Sequence, residues 1–262
     1  MDYTKELEFA KRLALAAGEI ARQWFGKTDE LAIKADDNSP VTEADTRIND
    51  MVIDEVRKAY PNIGVLGEEA SLEGESEDGL LWVLDPIDGT IPFTLHMPIS
   101  TFCLALVKDG EPVLGVVYDF MNGNLYSAVK GLGAHLNGNP LGVANKPKMK
   151  FVEFERWPAA PNDVSSLYAA LKREGYQSPN YASFGYMCMM VALGKIAGGV
   201  YAGDKPWDVA AAKVILEELR MRVTDLAGKE QPYDRAIRGA IVAYPETHAM
   251  LVGASTREDS EP

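Results

Sequence analysis

A chain of 262 residues with 47% hydrophobic side chains has the apolar content for one large core, which fits one domain with two internal halves. Its formal charge of -13 works against nucleic-acid and anionic-membrane binding, both of which need a basic field, so an anionic ligand must find its cations locally. Met1-Asp2-Tyr3-Thr4-Lys5-Glu6 lacks the basic-then-apolar order of a secretory signal, and no apolar run approaches membrane-spanning length, so a cytoplasmic protein is expected.

Leu7, Leu13, Ala14, Ala17, Ile20, Ala21 and Trp24 recur at three- and four-residue steps and predict an amphipathic helix ending near Gly26. A second helix is expected after Thr42, with Ile48, Val52 and Val56 as its apolar stripe and Pro61 closing it. Ile63-Gly64-Val65-Leu66-Gly67 reads as a short strand that ends in the acid pair Glu68-Glu69. Beyond the loop Ser71 to Gly79, Leu80-Leu81-Trp82-Val83-Leu84 has the length of a strand buried on both faces. Pro86 disfavours helical backbone at Asp85, so this strand is expected to stop there, and Asp85 and Asp88 leave a tight turn close together. Three further strands, Ser100 to Val107, Pro112 to Tyr118 and Leu125 to Val129, are separated by Asp109-Gly110 and Asn122-Gly123-Asn124 and read as an antiparallel meander.

Gly131-Leu132-Gly133 and Asn137-Gly138-Asn139 read as turns between strands. Past Asn145-Lys146-Pro147, helices are expected near Asp163 to Arg173, Tyr186 to Ala197 and Trp207 to Leu219, with strands near Val200 and Ala240 to Ala243, giving helix layers packed on sheets. Thr256 to Pro262 is too polar to pack and reads as a frayed tail. Cys103 and Cys188 sit in apolar surroundings and read as reduced, packed thiols. The methionine-rich segment Met187 to Met190 carries no functional signal of its own.

The chemistry concentrates where the apolar run meets Asp85-Pro86-Ile87-Asp88-Gly89-Thr90. Two carboxylates about 4 Å apart repel by roughly 4 kcal/mol at an effective dielectric near 20, so such a pair calls for a cation or a proton between its members. Glu68, Asp208 and Asp45 are further acids in unusual settings, and with Asp85 and Asp88 they form an oxygen-only set suited to Mg2+ or Mn2+ rather than zinc. Each has a bland reading as well. Thr42-x-x-Asp45 fits a capping box, Asp208 fits the N-terminal end of a helix, and Glu68 alone is an ordinary loop acid. Asp85 to Thr90 resists the bland account, because a turn needs one acid and one glycine rather than two acids. Gly89-Thr90 offers backbone N–H groups with no side chain at Gly89 to block a phosphate oxygen. Neither a Gly-x-x-x-x-Gly-Lys-Ser/Thr loop, an Asp-x-Asp pair at this position nor a calcium loop is present.

Gly67-Glu68-Glu69, Trp82 to Thr90 and Pro206-Trp207-Asp208-Val209-Ala210-Ala211-Ala212, matching in chain order, and also Val41-Thr42-Glu43-Ala44-Asp45, together resemble the inositol monophosphatase family, within the lithium-sensitive metal-dependent phosphatases that include fructose bisphosphatases. The resemblance covers about residues 5 to 250. It implies an α+β fold, a layered α-β-α-β-α sandwich of the inositol monophosphatase and fructose bisphosphatase type, and a homodimer. It implies one phosphatase domain of two lobes, about 1–145 with most metal ligands and about 146–255 supplying Asp208 and the substrate pocket, followed by the tail 256–262. Two or three Mg2+ ions, with Mn2+ as the alternative, are implied at Glu68, Asp85 and the Ile87 carbonyl, at Asp85, Asp88 and Asp208, and again at Glu68. Thr90, supported by Asp45, is then the activator of the attacking water, and Gly89 with Thr90 receives the phosphate.

Three departures bear on the alcohol rather than on the phosphate. Ile91-Pro92-Phe93 stands where inositol phosphatases continue Thr-Asn-Phe, Tyr201 where they place a glutamate on the inositol hydroxyls, and Ala182-Ser183-Phe184 where they have Gly-Ser-Ala. Asp88, Ser183, Phe184 and Tyr201 are the expected substrate contacts, and the two aromatics favour a bulkier or less hydroxylated alcohol, unless they are core residues. The expected function is hydrolysis of a small phosphorylated alcohol, such as an inositol-phosphate-like ester, histidinol phosphate or a sugar phosphate. The alternative is a catalytically silent regulator that binds metal and phosphate on the same fold.

Overall fold

The computed structural model describes residues 2–27, 32–33, 40–74 and 78–255, so the expected tail at 256–262 lies outside the described residues. The N-terminal part runs α1 (Thr4–Trp24), β1 (Ala32–Ile33), β2 (Pro40–Val41), α2 (Glu43–Ala59), β3 (Gly64–Gly67), β4 (Leu80–Asp88), α3 (Thr90–Thr94), β5 (Thr101–Lys108), β6 (Glu111–Asp119), β7 (Asn124–Val129), β8 (Ala134–Leu136) and β9 (Asn139–Pro140). The rest runs β10 (Val152–Glu155), α4 (Ser165–Arg173), α5 (Phe184–Ala192), β11 (Gly198–Tyr201), α6 (Ala210–Glu218), β12 (Arg222–Thr224), β13 (Ala240–Ala243) and α7 (Pro245–Ser255).

A seven-stranded sheet in the order β3-β4-β5-β6-β7-β8-β9 and a four-stranded sheet in the order β10-β11-β13-β12 form the two β layers; β1 and β2 pair separately. The meander from β5 to β7 is antiparallel as expected; β4 joins it antiparallel to β5, while β3 pairs parallel to β4. Because strand side chains alternate, each sheet feeds two cores. Trp82, Leu84, Phe102, Leu104 and Leu106 face Leu13, Ala17, Ile48 and Val52 of α1 and α2. Val83, Cys103, Ala105 and Val107 face the other way, onto α5, α6 and the inner side of the second sheet through Tyr201, Ala240 and Val242. The outer side of that second sheet, through Val152, Phe154, Val200 and Ile241, is covered by Leu167 and Leu171 of α4 and Leu251 of α7. The order of layers is therefore α-β-α-β-α.

The middle position explains the methionine-rich helix. Met187, Cys188 and Met189 are wholly buried in α5, which lies between two sheets and needs apolar side chains all round. The helix ends earlier than its periodicity suggests, at Ala192, and the left-handed Gly194 (φ 70) turns the chain away.

The strand through the acid run also differs from expectation. Pro86 does not stop β4, which continues to Asp88 with a register shift against β5 between Asp85 and Asp88. A proline has no N–H to give a ladder, and the bulge provides the place where none is required. Gly89 then turns in the left-handed region (φ 84) and opens α3.

Gly115 of β6 shows how closely the middle helix layer sits. A Cβ there would come within 2.1 Å of the Ala211 carbonyl oxygen of α6. Gly115→Ala is expected to cost about 2 kcal/mol through overpacking and to lower Tm by about 5 °C in thermal melting. An unchanged Tm would show that α6 is free to move outward.

Candidate active site

The ends of β3, β4 and β11 and the segment before α6 meet at one cleft of about 150 Å³, lined by Glu68, Asp85, Ile87, Asp88, Gly89, Thr90 and Asp208, with Ile91, Glu155, Trp157, Ala182, Phe184 and Tyr201. Pairing of β3 with β4 positions Glu68, whose N–H donates to the Leu84 carbonyl (3.1 Å). The strand β4 supplies Asp85 and Asp88, both almost fully buried.

Burial and mutual repulsion dominate the electrostatics. Asp85 is pushed well above the usual carboxylate range by burial first and then by Glu68, Asp208 and Asp88. Burial, then Glu68 and Asp88, does the same to Asp208. Asp85 Oδ1 is buried without a protein donor, and the hydrogen bond between Asp85 and Asp208 pushes Asp85 further up while pulling Asp208 down, so the two carboxyls together call for one proton or a cation. Tyr201, 1% exposed, donates its hydroxyl to Asp208 Oδ2.

Asp88 is held differently. Its Oδ2 accepts from Thr101 Oγ1 (2.8 Å), Ser183 Oγ (2.6 Å) and Gly185 N–H (2.9 Å), and its Oδ1 accepts from Phe184 N–H (2.9 Å). The carboxylate thus caps the first turn of α5, where free N–H groups and the helix dipole favour negative charge. Burial still leaves it raised, although Ser183 and Thr101 pull the other way.

The remaining expected residues fall into place around this pair. Ser183 is buried behind Asp88 and is absent from the cleft lining, whereas Phe184 and Tyr201 reach it, with ring centroids 5.0 Å apart. Thr90 lines the cleft and donates its hydroxyl to the Ile87 carbonyl (3.2 Å). Asp45 lies outside the lining, fully buried, and its Oδ2 accepts the Thr42 N–H (2.9 Å) and hydroxyl in a capping box. Its Oδ1 is buried without a donor, and burial followed by Glu68 pushes the carboxyl up to about 7. The Thr90–Asp45 pair is therefore not formed in this structure. Sequence reasoning missed Glu155 and Trp157. The alternation Glu153-Phe154-Glu155 does not say which of its faces is covered, and in the structure Glu153 is wholly buried.

The donors fit hard divalent cations. They are oxygens only, Asp85 Oδ1 lacks a donor, and no Lys, Arg or His lies among the described lining residues to offset the acids. Among the described residues no three His, Cys, Asp or Glu side chains are already drawn into a cage. The acids line a shared cleft, where Tyr201 holds Asp208 and the donors of Thr101, Ser183 and α5 hold Asp88.

A layered α-β-α-β-α fold whose first sheet ends in clustered carboxylates defines a class of phosphate-ester hydrolases. The chain belongs to the inositol monophosphatase family, whose model matches residues 2–260. It is 31% identical over 238 residues to the fructose-1,6-bisphosphatase/inositol-1-monophosphatase of Thermotoga maritima, covering 86% of each chain. It is 32% identical over 240 residues to the histidinol-phosphatase of Chlorobaculum parvum, covering 88% of this chain and 90% of that one. It is also 29% identical over 228 residues to the Nus factor SuhB of Xylella fastidiosa, covering 84% of this chain and 82% of that one. The solved structure of the Thermotoga maritima IMPase superposes with a TM-score of 0.83 at 26% identity, over 97% of this chain and 98% of that one. No helix among the described residues is long and apolar enough to cross a membrane.

The raised acids make stability depend on pH. A carboxyl whose folded value lies above its unfolded value costs the folded state stability as pH rises from the unfolded value to the folded one. For Asp45 that window runs from about 4 up to about 7. Without added metal, Asp45→Asn is expected to gain on the parent chain steadily across this window and to level off above it, about 5 °C ahead in Tm at pH 8. Parallel melting curves for the two chains across pH 4 to 8 would contradict this assignment.

Proposed function

We propose that the protein is a Mg2+-dependent phosphomonoesterase that hydrolyses a small phosphorylated alcohol by in-line attack of water. The observation that carries this reading is the cleft itself, which gathers five carboxylates around Gly89-Thr90 and has no basic side chain in its described lining. A dianionic phosphate approaches such a surface only with cations present. Glu68, Asp85, Asp88, Asp208 and the Ile87 carbonyl are the residues that would hold two or three ions. Mg2+, or Mn2+ in its place, would supply neutralisation of phosphate charge and a water of lowered pKa.

The chain's own groups then have separable tasks. Gly89 and Thr90 present the turn that receives the phosphate, and the Thr90 hydroxyl orients the water. Its proton is committed to the Ile87 carbonyl in the resting structure, so turnover requires the hydroxyl to leave that acceptor. Asp45 has an open buried oxygen and a carboxyl held at about 7, which suits a proton acceptor near neutral pH. Phe184 and Tyr201 form an apolar wall for the alcohol. In this reading the region of about 1–145 provides most ligands and the region of about 146–255 provides Asp208 and the pocket wall.

The test is phosphate release from inositol phosphate, histidinol phosphate, sugar phosphates and fructose bisphosphate with Mg2+ or Mn2+. Release is expected to need the metal, to fall at least about a thousandfold in Asp85→Asn, and to fall about a hundredfold in kcat with little change in KM in Thr90→Ala. No release from any ester, with Asp88→Asn behaving as the parent chain, would overturn the proposal. Phosphate and Mg2+ raising Tm without turnover would instead favour a silent regulator of the same fold.

A further inference from the structure

Glu153 and Glu155 stand two residues apart on β10 and so share one face of the strand, the face turned toward α5 and the cleft, while Val152 and Phe154 turn to the opposite core. Glu155 lies directly across from Tyr201 in the parallel pairing of β10 with β11. Glu153 is satisfied on one side, where Oε1 accepts the Tyr181 N–H (3.1 Å). The Oε2 atoms of both residues are buried and, apart from the hydrogen bond between the two carboxyls themselves, receive no donor among the described residues. Burial, followed by the charge of Asp88, pushes Glu155 up to about 7, with Glu153 as its hydrogen-bonded neighbour.

An acid on the inner face of a strand is costly unless something compensates it. The nearby cations are engaged elsewhere: Arg156 lies over the Tyr168 ring (4.9 Å), and Lys205 lies over Trp207 (5.5 Å) and 4.0 Å from Asp204. Glu155 also lies outside the acid set assigned above to divalent ions. Around it the cleft is aromatic. Trp157, 41% exposed, stands 6.3 Å from Tyr201, which stands 5.0 Å from Phe184. A polyhydroxylated alcohol needs several donors and acceptors, and this wall offers one carboxylate and three ring faces. A carboxylate beside aromatic faces is the recognition chemistry of an organic cation.

We propose that Glu155 is a specificity-determining residue that receives a protonated amine on the leaving alcohol, so that the substrate class is the phosphate monoester of an amino alcohol. This rests on the phosphomonoesterase reading above. Glu155 binds the amine, Trp157 and Tyr201 flank it, and the phosphate lies at the opposite end of the cleft against Gly89-Thr90.

The test pairs ω-aminoalkyl phosphates of two to five carbons with the matching ω-hydroxyalkyl phosphates at pH 8 with Mg2+, measuring kcat/KM and calorimetric binding. For at least one chain length the amine is expected to be favoured by about tenfold or more. Glu155→Gln should bring that ratio near one while leaving the hydroxyalkyl ester within about twofold of the parent value. Glu155→Met is the second variant, and equal Tm values with Mg2+ and inorganic phosphate establish that both variants are folded. Equal or reversed preference in the parent chain at every length, or a preference retained in both variants, would overturn the proposal. If no ester of either series is hydrolysed, the phosphatase reading fails by itself, and the calorimetric preference still decides the role of Glu155.

Discussion

Like-charged carboxylates held together away from water are the constraint on which this molecule turns. Burial and the neighbouring acids push the carboxyls of Asp85 and Asp208 well above the usual range, and Tyr201 spends its hydroxyl on Asp208. Such a cluster persists only where the surrounding fold is rigid enough to hold it. Here the cluster lies where both sheets and the helix layer between them come together, so the acids are fixed by three separately packed elements rather than by one loop.

Asp88 is the joint between those elements. It belongs to β4 of the first sheet, but its carboxylate is bound by the N-terminal turn of α5, in the middle layer, and by Thr101 of the neighbouring strand. Strand, bulge and helix cap are therefore one construction: the bulge past Pro86 directs Asp88 at α5, and Gly89 turns the chain at once so that Thr90 faces the same cleft. Ala182, left-handed at φ 54, completes the joint from the other side by aiming the first N–H groups of α5 at Asp88. That conformation is unfavourable for a residue with a Cβ, and it marks where the related Gly-Ser-Ala pattern is altered in this chain.

Much of this was legible in the sequence because strong local signals coincide with strong tertiary demands. The run Leu80 to Leu84, the turns at Asp109-Gly110 and Asn122-Gly123, and the stripe Ile48, Val52 and Val56 all sit in the elements that their patterns indicate. The acids Glu68, Asp85, Asp88 and Asp208 could be grouped because each follows or precedes an apolar segment that has to be buried. What could not be read depended on partners distant in sequence. Pro86 as a strand breaker was wrong because a β-bulge accommodates it. Ser183 was expected at the substrate and lies behind Asp88 instead. Glu153 and Glu155 alternate with Phe154 as any half-exposed strand does, and only the packing of α5 over that face reveals that the polar side is the inner one. The strands β10 and β12 have too few residues to carry a period, and α7, though eleven residues long, has no amphipathic pattern along it.

The central claim is that the acids at the end of β4 form a divalent-cation site at which a phosphate is bound and hydrolysed. The most direct measurement is a crystal structure of the full chain with Mn2+ and inorganic phosphate, using anomalous scattering to locate the metal. The account predicts manganese coordinated by Asp85, with Glu68 and Asp208 completing the sites and phosphate against Gly89-Thr90. Manganese absent from Asp85, in protein that releases phosphate under the same conditions, would contradict it.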